Sequence, residues 1–142
     1  GLPTKLVIVG DPKDADYVRK CEGAANEDVM FLPHIPYDST LLPSAYAGAR
    51  VFALPSYQET CGMSGLEAGL AGANVVVTER GGTKEYYGEH ATYIDPFSVE
   101  SIMNGLVKAY NAPHSNGLRD HVAKNYSWNV IIDAIMDCYD SL

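Results

Sequence analysis

Several features are scarce in this 142-residue sequence, and each shortage excludes a class of protein. The three cysteines form no C-x-x-C pair and the four histidines show no H-E-x-x-H spacing, which argues against a disulfide framework and against a zinc site. Ten Lys and Arg face 18 Asp and Glu, and the net charge of −8 disfavours nucleic acid or an anionic membrane as the main partner. No apolar run approaches the roughly 18–20 residues of a transmembrane segment.

The remaining composition is typical of a globular, cytoplasmic protein. Hydrophobic residues make up 46% of the chain, enough for a core, and the length fits one domain over residues 1–142. Widely separated cysteines are typical of a reducing compartment. The sequence begins with Gly instead of Met and shows no signal peptide, so we expect a fragment of a larger protein.

Short β-branched runs alternate with longer amphipathic stretches, which is the pattern of βαβ units. Strands are predicted at 5–10, 29–32, 51–54, 74–78 and 92–95. Helices are predicted at 14–25, about 39–47, 64–72 and 83–87, and from 98 onward with breaks near 113 and 127. Because the strands are almost continuously apolar, we expect a parallel sheet buried on both faces. The predicted fold is a three-layer α/β/α, Rossmann-like domain.

Ligands of such sheets bind beyond the carboxyl ends of the strands, so the strand exits are the segments to compare. The first exit, at 10–12, lacks the further glycines of a dinucleotide fingerprint, and no G-x-x-x-x-G-K-[ST] phosphate loop occurs. A phospho-acceptor regulatory domain needs an Asp where a strand ends, and the third strand ends in Leu54-Pro55-Ser56. Two glycine-containing exits remain, at 55–72 and at 80–85.

The segment 55–72 carries two carboxylates around the start of a predicted helix, with Glu59 in the preceding loop and Glu67 within the helix. The first amides of a helix are free, and the helix dipole favours anions there. Carboxylates accept hydrogen bonds from sugar hydroxyls, and free amides donate to phosphate oxygens. A ligand with both groups, such as a nucleotide sugar, suits this combination.

A purely structural interpretation of the same residues stays open. Ser64 and Glu67 have the spacing of a capping box, in which Glu67 folds back onto the Ser64 amide. Glu59 alone is compatible with a solvated loop carboxylate. Cys61 is compatible with a small apolar residue, since no His lies near it in sequence.

The segment 55–72 reads PSYQETCGMSGLEAGLAG and is followed by three valines at 75–77 and by GGTKE at 81–85. This pattern resembles the C-terminal, donor-binding domain of retaining GT-B glycosyltransferases of family 4, the glycosyltransferase group 1 domain. The resemblance extends to the strand at 6–10, to Phe31-Leu32, and to Ser127-Trp128 with Tyr139. It therefore covers nearly the whole chain and implies the C-terminal half of a GT-B fold.

The resemblance implies a role for each matching residue. Glu59 would face the donor sugar and the reacting centre, and Glu67 would hold the ribose hydroxyls of the nucleotide. The turn at His34 and Ile35 would lie near the base. The backbone amides that would meet the sugar hydroxyls and the diphosphate are those of Cys61, Gly62, Met63, Ser64 and Gly65. The family transfers a sugar, here of the hexosyl type, from a nucleoside diphosphate with retention of configuration, without a resident cofactor or an obligatory metal.

The resemblance also implies that parts of the enzyme lie outside this chain. The N-terminal acceptor domain and the first βα unit of the donor domain, with the Arg and Lys that clamp the diphosphate, have no counterpart here. The cations available to compensate are Lys13, Arg80 and Lys84. We expect an excised domain that is inactive alone and that forms a homo-oligomer through its uncovered sheet.

Two further expectations concern the whole protein. The full-length enzyme is expected in the cytoplasm or at the membrane periphery. Within this chain, Trp128 is expected to pack at the end of the core.

The alternative function is a non-catalytic nucleotide or nucleotide-sugar binding module of the same fold. Such a module would keep the binding site and catalyse no transfer.

Overall fold

A computed structural model describes residues 2–141, and these alternate between strands and helices as an α/β protein should. The strands are β1 Leu6–Val9, β2 Val29–Leu32, β3 Val51–Leu54, β4 Asn74–Thr78 and β5 Thr92–Ile94. The helices are α1 Ala15–Ala24, α2 Leu41–Gly48, α3 Met63–Leu70, α4 Thr83–Tyr87, α5 Val99–Asn111, α6 Gly117–Tyr126 and α7 Trp128–Asp140. The predicted order of elements and the α/β class are confirmed.

The chain divides into two compact units, residues 1–42 and 43–142. In the first unit, β1 and β2 pair in parallel, with Leu6 opposite Val29. Helix α1 begins where the Asp14 carboxylate accepts hydrogen bonds from the amides of Asp16 and Tyr17, at 2.9 and 3.0 Å. This N-cap satisfies two of the amides that a helix start leaves unpaired.

The prediction that every strand is buried on both faces is wrong for β1. Its four side chains are between 40% and 51% exposed. The reason lies in the pairing, because β1 has a single partner strand within this unit and α1 contributes no buried residue to cover it. Oligomerisation through this strand stays a prediction.

The second unit contains a parallel sheet of order β3-β4-β5 between two layers of helices. Side chains of the central strand β4 alternate between the two faces. Val75 and Val77 belong to a core that includes Leu118 of α6, whereas Val76 packs with Ile94 and with Ala109 of α5. The predicted three-layer α/β/α arrangement is therefore present in this unit.

The last two helices differ in how far their apolar residues are buried. Helix α6 buries Leu118 and Val122, but α7 has no buried residue and its Trp128 is 77% exposed. The predicted packing of Trp128 at the end of the core is wrong, because its side chain is exposed and α7 packs mainly against α6. Among the described residues, no helix is both long enough and apolar enough to cross a membrane.

Candidate functional site

Two strand exits of the second unit form one structure. The loop that leaves β3 is bound to the segment that leaves β4, through an isolated parallel bridge between Glu59 and Gly81. The Glu59 amide donates to the Arg80 carbonyl at 3.2 Å, and the Gly82 amide donates to the Glu59 carbonyl at 3.0 Å. Both backbone groups of Glu59 are thus fixed. The exits at 55–72 and 80–85 are therefore joined by backbone hydrogen bonds.

Glycine is required where the two exits meet. Gly81 has φ +95°, a left-handed conformation that other residues rarely adopt. A Cβ at Gly81 would overlap the Glu59 carbonyl oxygen, and one at Gly82 would overlap the Thr60 carbonyl oxygen. Sequence reasoning identified 80–85 as a glycine-containing strand exit and missed that its glycines support Glu59.

The helix after the loop begins one residue earlier than predicted, and this removes the capping box. Its N-cap is Gly62, in the left-handed conformation at φ +68° and ψ +53°, with no side-chain hydrogen bond to the helix amides. A capping box needs its Ser at the N-cap. Ser64 is instead the second residue of α3, so Glu67 is not held by a box at this position.

The turn leaves several amides without a protein acceptor. Gly65 and Leu66 donate to the Gly62 carbonyl at 2.8 and 3.3 Å, so the Gly65 amide is engaged within the turn. Among the residues that the structure describes, no acceptor is found for the amides of Cys61, Gly62, Met63 and Ser64. Unpaired amides at a helix start form an anion-binding position. Four of the five predicted amides thus lack an acceptor in the described part of the chain, and among these residues Gly62 is buried.

Glu67 is exposed on α3 and faces Tyr46 of α2. Burial of Tyr46, then the negative charge of Glu67 and a hydrogen bond to its carboxylate, raise the pKa of Tyr46 to about 12. Tyr46 is therefore neutral at physiological pH, and it lies beside the Glu67 carboxylate. Sequence reasoning missed this contact, which joins two helices 21 positions apart in the chain.

Glu59 is half-buried beside the same turn, with its Cγ 3.9 Å from the position that a Cβ on Gly62 would take. Cys61 is also half-buried, and Met63 is 65% exposed. Glu59, the turn and Glu67 thus follow one another along the amino end of α3. The structure places them at the carboxyl edge of a parallel sheet, where α/β proteins bind ligands.

The two cations at the exit of β4, Arg80 and Lys84, already have partners. Arg80 lies 3.7 Å from an Asp95 carboxylate oxygen, with its guanidinium 4.8 Å above the Phe97 ring. Lys84 lies 3.7 Å from a Glu79 oxygen. These pairs are exposed, and exposed pairs contribute little free energy, so either cation can turn to an anionic ligand at small cost.

His34 and Ile35 belong to the first unit. Ile35 is buried, and the exposed His34 donates its amide to the Asp11 carboxylate at 3.2 Å. Their position near a nucleotide base stays a prediction, as does the contribution of Lys13.

Two surface depressions of the second unit lie elsewhere. One of about 440 Å³ runs along α5, and one of about 320 Å³ lies at the amino ends of β4 and β5. Neither includes Glu59, Glu67 or the turn between them. The chemistry of the carboxyl edge is thus the stronger indicator of function.

Comparison with known sequences assigns the family. The family model "Glycosyl transferases group 1" matches residues 2–112. Glycogen synthase from Caldicellulosiruptor bescii is 28% identical over 156 residues, covering 99% of this chain and 32% of that protein. Mannosylfructose-phosphate synthase from Agrobacterium fabrum is 31% identical over 102 residues, covering 67% of this chain and 22% of that protein.

Solved structures share the fold over nearly the full chain. Sucrose-phosphate synthase from Thermosynechococcus elongatus has a TM-score of 0.80 at 24% identity, covering 99% of this chain and 39% of that one. Alr3699/HepE from Anabaena, in complex with UDP-glucose, has a TM-score of 0.84 at 20% identity, covering 100% and 42%. The chain spans about a third of the length of the first of these curated relatives. By its sequence and fold, the chain belongs to the group 1 glycosyltransferases.

Proposed function

We propose that this chain is the donor-binding domain of a retaining glycosyltransferase and that a second domain presents the acceptor. The observation that carries the proposal is the turn at 61–64, whose four amides lack an acceptor among the described residues and lie between Glu59 and Glu67. A diphosphate suits the amides, and hydroxyl groups on both sides suit the carboxylates.

Each carboxylate has a different part of the donor to bind. Glu67 is exposed and lies beside the neutral Tyr46 hydroxyl, which leaves acceptor capacity on the carboxylate for the ribose hydroxyls. Glu59 is half-buried, and both of its backbone groups are hydrogen-bonded. A side chain held in this way suits the sugar end of the donor, where the position of a reacting group matters most. We therefore assign Glu59 to the donor sugar and the reacting centre.

In the reaction, the bond between the anomeric carbon and the diphosphate oxygen breaks and the acceptor oxygen forms a new bond to that carbon. The nucleoside diphosphate leaves with the electron pair of the broken bond, and the proton of the acceptor hydroxyl passes to the departing diphosphate oxygen. Positive charge develops on the sugar as the first bond breaks. A carboxylate fixed nearby stabilises that charge. The amides that hold the diphosphate stabilise the negative charge of the leaving group.

The comparisons support this proposal at the level of the family. The sequence relatives are named as enzymes that make glycogen or mannosylfructose phosphate, and one structure with the same fold was solved with UDP-glucose. The chain covers 32% of the length of the glycogen synthase that it matches, and we propose that it is inactive without the acceptor domain. Retention of configuration, independence from metals and a cytoplasmic location are part of the same proposal.

The alternative is a binding module that holds a nucleotide or nucleotide sugar and transfers nothing. The free amides and Glu67 are compatible with either function. The fixed backbone of Glu59 favours the enzyme, because a solvated carboxylate in a binding module needs no such support.

The donor-site assignment predicts a specific loss on replacing Glu67. In the Glu67→Gln variant, affinity for the nucleoside diphosphate that binds this chain should fall about 10-fold or more, because a hydrogen bond to a charged acceptor is lost. Isothermal titration with UDP, GDP and ADP measures this. The matched control is Glu100→Gln, an exposed helix carboxylate on α5, which should change affinity less than about twofold.

Equal losses in the two variants would show that the effect is not specific to Glu67. An unchanged affinity in Glu67→Gln would remove Glu67 from the site, and no binding of any of the three diphosphates to the folded wild type would contradict the proposed function itself.

A further inference from the structure

We propose that Tyr87 is a positioning residue of the donor site, which sets the turn at the start of α3 through its hydroxyl. This inference rests on the proposed function, in which that turn holds the diphosphate. Tyr87 lies on α4, 25 positions beyond the turn, and it touches neither predicted carboxylate by a hydrogen bond.

The main contact is a hydrogen bond to the backbone of the turn. The Tyr87 hydroxyl donates to the Gly62 carbonyl at 2.5 Å, and the Tyr87 side chain is fully buried. The same carbonyl accepts from the amides of Gly65 and Leu66. Three donors, two amides and one hydroxyl, thus converge on the Gly62 carbonyl oxygen and hold its position.

Two glycines also lie very close to the Tyr87 hydroxyl. A Cβ at Gly65 would overlap the Tyr87 hydroxyl, and a Cβ at Gly62 would lie 3.0 Å from it. Two glycines of the turn therefore leave the space that this hydroxyl fills. The left-handed φ of +68° at Gly62 turns the chain so that the following amides begin the helix.

The helix that carries Tyr87 also supports the other end of the loop. Gly82, the N-cap of α4, donates its amide to the Glu59 carbonyl. The buried Thr83 hydroxyl anchors the start of α4 to the Thr78 carbonyl at 2.7 Å. One short element thus fixes Glu59 at one end of the loop and Gly62 at the other. A loop held at both ends is organised before the ligand arrives, which lowers the entropic cost of binding.

Tyr87 keeps its proton under all physiological conditions. Burial, followed by the charges of Cys61, Glu59 and Tyr93, raises the pKa of the Tyr87 hydroxyl well above its ordinary value. A permanently neutral donor suits a structural bond to a carbonyl, and it adds no negative charge beside a diphosphate.

The test is the Tyr87→Phe variant, which keeps the ring and removes the hydroxyl. We expect its affinity for the nucleoside diphosphate that binds the wild type, found among UDP, GDP and ADP, to fall about 5- to 10-fold. In the free protein, amide shifts should change at Gly62, Met63 and Ser64. The matched control is Tyr93→Phe, which removes a similar hydroxyl bond, to the Gly88 carbonyl at 2.6 Å, outside the loop.

The control separates positioning from general stability. Tyr93→Phe should lower the free energy of unfolding without changing diphosphate affinity or the three amide shifts. Equal affinities in both variants, with unchanged shifts at 62–64, would overturn the role of Tyr87. If no diphosphate binds the wild type, the proposed function fails, and the free-state shifts alone decide whether Tyr87 sets the turn.

Discussion

Replacing Glu59 with glutamine should lower kcat for sugar transfer by about 10²- to 10³-fold in an enzyme that joins this chain to its acceptor domain. The substitution keeps the shape of the side chain and removes its charge. It leaves the backbone of residue 59 free to bond with Arg80 and Gly82 as before, so the loop should keep its structure. The affinity for the nucleoside diphosphate alone should change less than about twofold, because Glu59 is assigned to the sugar.

The measurement is a steady-state assay with donor and acceptor, together with titration of the diphosphate. Glu79→Gln is the matched control, since Glu79 is a carboxylate at the exit of β4 that is half-exposed and paired with Lys84. That variant should keep kcat within about twofold. Full activity in Glu59→Gln would remove Glu59 from the reacting centre and favour the non-catalytic module.

Replacing Gly81 with alanine should destabilise the second unit by about 3 kcal/mol, the combined cost of overpacking and of a left-handed alanine. The new methyl group would overlap the Glu59 carbonyl oxygen, which is backbone and cannot rotate away. Either the bridge between the two exits breaks or the strand exit shifts. Donor affinity should fall along with stability, because the same bridge holds Glu59. Urea unfolding and diphosphate titration measure the two effects.

Gly72→Ala provides a control for the backbone strain alone. Gly72 has φ +101°, and a Cβ there would meet no atom within 4 Å. Its substitution should therefore cost about 1–2 kcal/mol and leave donor affinity unchanged. Equal destabilisation in the two variants would show that the contact between the exits contributes nothing, and the role assigned to Gly81 would be wrong.

The sequence predicted local elements well because their signals are local. The strand at 29–32 is bounded by an Asp and a Pro, and the helix at 83–87 by glycines, so propensity and chain breakers coincide there. The prediction of burial failed for β1, because its apolar run resembles that of the buried strand β4. An apolar composition indicates that a strand can be buried on both faces. Whether it is buried depends on the strands and helices that pack against it.

In the candidate site too, the sequence predicted the residues that are adjacent in the chain and missed those that come from other elements. The two carboxylates and the turn between them were visible as one segment, because a helix start and a glycine-rich loop are adjacent in sequence. The supports of that segment were not visible, since Tyr46, Gly81 and Tyr87 come from other elements. Ser64 and Glu67 also matched a capping box by spacing, and only the backbone of Gly62 shows that the helix starts too early for one.

The most direct measurement is an amide NMR titration of this chain with UDP, GDP and ADP, followed by their sugar conjugates. The account predicts saturable shifts concentrated at residues 61–67 for one of the diphosphates, with further changes at Glu59 when the sugar is attached. A well-folded sample that shows no shifts in this segment at millimolar ligand, or saturable shifts confined to the depression along α5, would contradict the donor site.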